Sequence, residues 1–232
     1  MQTSMRPFVH INVAMTADGK IDTVERRGAA ISSPRDRERV DRLRAEADAV
    51  MVGGRTLLDE DPALTVKSQA LRAERVARGL QPNPAKVGVV TRAALKPDAK
   101  FLTSGPARVL IFTTDQTAPE QLELLESRGV QVFLERSARV DVESMMHTLH
   151  AQGIQRLMVE GGGTLNAELL RRGLVDEITA YVAPMIFSGA NAPTLADGPG
   201  LPRGEAVALE LIQVNQWDDG GLVIHYKVKR SK

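Results

Sequence analysis

Apolar positions along the chain fall into short runs divided by polar stretches, and their spacing predicts most of the architecture. Residues 8–15 alternate as a strand does, while 49–52, 87–90, 109–113, 130–134 and 157–159 are the short apolar runs of buried strands. Helices fill the intervals. Ser33 as N-cap, Pro34 in the first helical position and Asp36 closing a capping box start one helix, with Val40, Leu43 and Ala47 as its buried stripe. Helical spacing also marks 70–78, 119–127 and 141–152, stopped by Gly79, Gly129 and Gly153, and 166–170 has helical composition. Residues 63–67 read as extended. Residues 175–183 form a later strand, 187–203 a Gly/Pro-rich loop, and 206–213 with 222–229 a closing pair of strands joined through Asp218, Asp219, Gly220 and Gly221. This order predicts an α/β fold: one mixed, mostly parallel sheet flanked by helices, with a C-terminal antiparallel hairpin. A single domain over 1–232 is expected, with a surface insertion around 68–85.

Composition narrows the class of partners. With 30 Lys plus Arg against 29 Asp plus Glu, the net charge of +1 offers no global attraction to nucleic acid or a membrane surface. Aromatic residues make up only 3%, too few for a base-stacking surface. The chain has no cysteine, which excludes disulfides and thiolate chemistry and suits a cytoplasmic location. No apolar run approaches the roughly 20 residues of a membrane span, and 8–15 is too short for a signal segment. His147 and His150 lie three apart with no third ligand near them, so no metal is expected.

The candidate chemistry centres on 157–165, where strand, glycine turn and helix follow without a break. Glycine permits positive φ and close approach, and the first amides of a helix lack intrahelical acceptors. Gly161, Gly162, Gly163 and Thr164 therefore read as a diphosphate cradle, with Glu160 at the carboxyl end of its strand facing the ligand. A turn needing glycine only for tight packing explains the triplet equally well. Gly53, Gly54, Arg55 and Thr56 repeat the pattern after 49–52, and two such turns suggest the two ends of one dinucleotide. The acidic run Asp59, Glu60 and Asp61 reads by itself as solvated capping, and Arg44 as an arginine laid over its helix end.

Several motifs taken together resemble a known family. NVAMTADGK at 12–20, ISSP at 31–34, LRA at 43–45, MVGGRTLLDEDPALTV at 51–66, VEGGGTL at 159–165 and GLVDEITAYVAPMIF at 173–187 resemble the pyrimidine reductases of riboflavin biosynthesis. The likeness runs in order from about Arg6 to Lys229, and no deaminase-like segment precedes it, so the resemblance is to the free-standing form. It implies the dihydrofolate-reductase-like fold, a homodimer, and NADPH-dependent reduction of a ribosylaminopyrimidine 5′-phosphate to its ribitylamino product. In that chemistry the sugar opens to an imine and a hydride reaches its C1′ carbon. The protein aligns the reactants and manages a proton.

The resemblance also assigns residues. It implies that Thr56, Gly161, Gly162, Gly163, Thr164 and Leu165 touch the cofactor, with Ala14 beside the nicotinamide half and Glu60 near both ligands. Thr91 and Arg92 fall at the adenosine end, where many relatives have Asp-Ser; Arg92 suits a 2′-phosphate. Arg44 and Lys67 match positions that meet the substrate phosphate, and Leu64 lies on the same substrate-binding segment. Lys67 is Arg in many relatives, which gives up a bidentate contact. Lys20 and Glu160 match residues of substrate binding and catalysis, and Asp18 shares the loop of Lys20. Glu160 or Asp18 then supplies the general acid, with Lys20 tuning the charge. Glu60 stands where Asp is usual, and the loop at Gly28, Ala29 and Ala30 lacks the hydroxyl or aromatic side chains that some relatives place over their ligands. A pterin reductase of the same fold and an NADPH-binding module without turnover remain the alternatives.

Overall fold

The computed structural model describes residues 5–229. In chain order the elements are β1 (Phe8–Thr16), α1 (Pro34–Glu46), β2 (Ala49–Gly53), α2 (Gln69–Ala77), β3 (Ala85–Val89), α3 (Lys100–Thr103), β4 (Val109–Thr114), α4 (Pro119–Ser127), β5 (Gln131–Glu135), α5 (Val142–Ala151), β6 (Arg156–Val159), α6 (Gly163–Arg171), β7 (Glu177–Ala183), β8 (Leu209–Gln216) and β9 (Leu222–Val228). The strands make a nine-stranded mixed sheet in the order β5-β4-β3-β2-β6-β1-β7-β9-β8. Parallel pairing joins β2 to β3, β3 to β4, β4 to β5 and β1 to β7, whereas β7 with β9 and β9 with β8 run antiparallel. The chain divides into two compact units, one built on Arg39–Met158 and the other on Phe8–Glu38 with the chain from Val159 onward.

In the first unit, β2, β3 and β4 are buried along their whole length, as strands covered on both faces must be. Val50, Val52, Leu57, Phe101, Ile111, Leu125 and Met158 form its main core. Burying each such side chain contributes about 1.5–3 kcal/mol. Local signals place the helices: Pro119 opens α4, and the Asp141 carboxylate accepts Glu143 N at 3.0 Å to cap α5. α2 lies in the stretch expected to be a surface insertion, yet its Arg75 is 2% exposed and donates to the carbonyls of Ala45 and Ala47 at 2.9 and 2.7 Å. The guanidinium closes the carboxyl end of α1, where orphan carbonyls need donors.

Three features of this unit differ from the sequence-based expectations. Residues 56–60 form a π-helical turn, and Asp61 after it is left-handed at φ 46°. Asp61 ends that turn with its backbone while its carboxylate serves α3, accepting Lys100 N and Phe101 N at 2.8 and 3.0 Å; α3 itself carries no sequence signal. The 63–67 segment is not uniformly extended, because Leu64 sits at φ 48° while 1% exposed.

In the second unit, Asp36 N donates to Ser33 Oγ at 3.2 Å, as the capping box predicts. β7 begins at Glu177 rather than 175. β8 covers Leu209–Gln216, three residues later than expected at each end, and is interrupted by an irregularity between Leu211 and Gln213. That bulge shifts the alternation on which the strand assignment relied. Ile31, Tyr181, Ala183 and Val223 form a buried cluster, with Ala14, Ala29, Met185, Phe187 and Trp217 packed against it.

Candidate functional site

In the second unit the end of β1 is shaped by its own polar side chains. Thr16 Oγ1 donates to Asp18 Oδ1 at 2.5 Å and accepts Lys20 N at 3.0 Å, while Gly19 takes φ 77° to close the turn. The Asp18 carboxylate also accepts Ser188 N at 2.8 Å and Phe187 N at 3.3 Å. The hydrogen bond from Thr16, followed by those from the two amides, holds this carboxyl below the ordinary aspartate value. Asp18 is thus ionised at neutral pH and serves as a loop staple.

Lys20 is joined to the loop after β7 by several bonds. It forms a bridge with Thr194, Ile21 N donates to Pro193 O at 2.9 Å, and Lys20 Nζ lies 3.4 Å from Ala192 O. The same loop reaches the start of α6. Asp197 accepts Thr194 N and Thr194 Oγ1 at 2.9 and 2.8 Å, Asp197 N donates to Gly163 O at 3.0 Å, and Asn166 Nδ2 donates to Leu195 O at 2.8 Å. Thr194 and Asp197 were not singled out from sequence. Their signal was present, a Pro193-Thr194 pair followed three residues on by an aspartate, a turn-forming arrangement.

The glycine turn divides its work between its members. Gly161 is at φ 101°, which an L side chain rarely adopts, so the backbone requires glycine there. Gly163 answers to packing: a Cβ on it would stand 2.4 Å from Thr194 O and 2.8 Å from Asp197 Oδ2. The tight-packing explanation therefore holds at Gly163. Gly162 is the N-cap of α6 and no side chain caps the helix; Thr164 is exposed on its first turn and Leu165 is turned into the core. An uncapped helix start after a glycine turn fits a phosphate-bearing nucleotide. Glu160, half-buried, occupies the residue between β6 and this turn. Ala14 packs, with Ala29, Phe187 and Trp217, against the buried cluster of Ile31, Tyr181, Ala183 and Val223.

The first unit carries the other sequence-derived candidates. Arg44, on the last turn of α1, donates to Thr65 O at 3.1 Å, which brings it to the strap that holds Leu64 and the exposed Lys67. Thr56 opens the π-helical turn and Glu60, exposed, ends it. Thr91 and Arg92 follow β3; the Thr91 carbonyl accepts Thr114 Oγ1 at 2.7 Å, and Arg92 is exposed. Leu57 lies against Gly88, where a Cβ would come within 2.8 Å of its Cδ2, so the π-helical turn sits close on β3.

Residues 7–223 match the family described as the RibD C-terminal domain. The chain belongs to that family. Among its RibD relatives, the 2,5-diamino-6-ribosylamino-4(3H)-pyrimidinone 5′-phosphate reductase of Archaeoglobus fulgidus is 43% identical over 194 residues, covering 84% of this chain and 88% of the relative. The protein of the same name from Methanothermobacter thermautotrophicus is 40% identical over 226 residues, 97% of this chain and 100% of the relative. Of solved structures, Acinetobacter baumannii RibD superposes with a TM-score of 0.79 at 25% identity over 97% of this chain, which spans 59% of that longer chain. The dihydrofolate reductase of Enterococcus faecalis, at a TM-score of 0.50 and 12% identity over 96% of this chain, shares the fold alone. This RibD-type sheet is therefore dihydrofolate-reductase-like, as the sequence resemblance implied.

Proposed function

We propose that this chain reduces 2,5-diamino-6-ribosylamino-4(3H)-pyrimidinone 5′-phosphate to its ribitylamino product with NADPH. The observation that carries this reading is the 40% identity, along 97% of the chain, to a relative bearing that substrate in its name. The chain acts as a single reductase domain in the cytoplasm.

Arg44 and Lys67 take the substrate phosphate, with Leu64 and Glu60 on the same segment. The α6 amides of Gly163 and Thr164, with Gly161, Gly162, Leu165, Thr56, Glu60, Thr91 and Ala14, hold the cofactor, and Arg92 meets its 2′-phosphate. Bound NADPH supplies the hydride. Lys20 and Glu160 orient the reacting sugar. Proton delivery falls to Glu160 through water, because the Asp18 carboxylate is already engaged by Thr16, Phe187 and Ser188.

The protein acts as a homodimer through β8 and its neighbour β9. β8 is the last strand of the sheet, and Leu209, Leu211, Ile212 and Val214 on it are 41–56% exposed. An apolar edge strand of this kind calls for a partner surface.

The assay follows NADPH oxidation by the purified protein against the pyrimidine phosphate, its deaminated form and dihydrofolate in parallel. Turnover with the pyrimidine phosphate is expected. Turnover with dihydrofolate alone supports a pterin reductase instead, and cofactor binding without oxidation of any substrate supports a non-catalytic module.

A further inference from the structure

Two charged side chains one turn apart on α1 grip the same strap of the first unit. Asp41, 8% exposed, accepts Lys67 N at 2.6 Å on one oxygen and Ser68 N at 2.8 Å on the other, while Arg44 Nη1 donates to Thr65 O at 3.1 Å. Between these anchors Val66 N donates to Asn83 Oδ1 at 2.9 Å, and the carbonyls of Val66 and Lys67 accept Arg72 Nη1 at 2.7 and 2.9 Å. Among the described residues no strand pairs with this segment. Side chains supply the partners that a β-ladder supplies elsewhere.

The two amides held by Asp41 are those of Lys67 itself and of the next residue. They fix the peptide planes on both sides of the Lys67 Cα, and so the direction in which its side chain leaves the strap. Because Asp41 stands one turn from Arg44 on the same helix, it also ties the backbone that carries Lys67 to the helix that carries Arg44. Charge-assisted bonds of this length are the stronger kind. We propose that Asp41 is a positioning residue that sets Arg44 and Lys67 at the spacing of a single phosphate group. The inference rests on the reading that these two residues take the substrate phosphate.

The test compares kcat/KM for the phosphorylated substrate and for the same substrate lacking its phosphate. Wild type prefers the phosphorylated form. Asp41→Asn keeps the shape of the side chain but can accept only one of the two amides, and it is expected to lower that preference roughly tenfold, the worth of one charge-assisted bond. Its kcat and its KM for NADPH stay near the wild-type values. In a Lys67→Ala background the same change is expected to remove little further preference, because the side chain that Asp41 directs is gone. Ser68→Pro, read against Ser68→Ala, gives a second route that keeps the carboxylate: Ser68 sits at φ −66°, which suits proline, and whereas both changes remove the hydroxyl that caps α2, only proline deletes one of the two amides. It carries the test if Asp41→Asn does not fold. Equal loss on both substrates, an unaltered preference, or full additivity with Lys67→Ala overturns the proposal. A wild-type enzyme indifferent to the phosphate defeats the underlying reading instead, and is recognised before any variant is made.

Discussion

The Asp18 carboxylate accepts the backbone amide of Ser188 at 2.8 Å, and that bond ties the turn at the end of β1 to the loop after β7. The loop goes on to meet Lys20 through Thr194 and Gly163 through Asp197 N. A change at one of these residues is therefore felt at the others.

Asp18 carries a pH signature. Its carboxyl is held below the ordinary value of 3.8, first by the Thr16 hydroxyl. A group whose folded-state pKa is depressed contributes stability that is present above its unfolded value and lost as pH falls through the folded one. Melting temperatures of wild type and Asp18→Asn should differ at neutral pH and converge only below about pH 4. A gap that stays constant through the acid range contradicts the ionised staple.

Gly163→Ala should weaken cofactor binding and stability together. The new Cβ meets the Thr194 carbonyl at 2.4 Å, a backbone atom that moves only with its loop. Overpacking of this kind costs roughly 1–3 kcal/mol, more than the gain from replacing a helical glycine. Thermal melts and the KM for NADPH give the answer, and an unchanged KM shows that the 194–197 loop does not support the α6 amides.

Lys86 on β3 is fully buried, and its Nζ donates to Phe101 O and Ser104 O at 3.0 and 2.6 Å, closing the end of α3. Burial lowers its pKa from 10.5 to about 8. Between those values the unfolded chain binds more protons than the folded one, so the contribution of this residue to stability rises with pH. Against Lys86→Met, wild type should gain in melting temperature from pH 8 toward 10.5. A difference that does not vary over this range means that the ammonium is hydrated.

Arg44→Ala is expected to raise KM for the pyrimidine phosphate by roughly ten- to a hundredfold, the range of a lost hydrogen bond to a charged group. The KM for NADPH should stay close to wild type. Equal losses on both ligands remove Arg44 from the phosphate site.

Leu211→Glu places a charge on the exposed apolar strip of β8, where Leu211 is 56% exposed. Light scattering should give a dimer for wild type and a monomer for the variant, with the melting curve of each chain still cooperative. A wild-type monomer removes the dimer from the proposal.

Where signals were local, the sequence was a sound guide. Pro119 and Gly129 bound α4 closely, and Ser33 with Asp36 predicted the start of α1, because capping and helix termination are settled within a few residues. The glycine triplet was legible as a turn, yet its division of labour was not: the steric demand on Gly163 comes from Thr194 and Asp197, about thirty residues away.

The sequence by itself determined the chain order of the strands and of the helices other than α3, the closing hairpin and the family, since apolar periodicity and contiguous motifs survive without knowledge of what packs on what. Tertiary structure decided what the polar residues do. Asp61 caps α3 across 39 residues, Asp41 holds Lys67 N across 26, and Asp18 reaches Ser188 across 170. A carboxylate takes its role from whichever amides the fold brings to it, and no spacing along the chain encodes those partners.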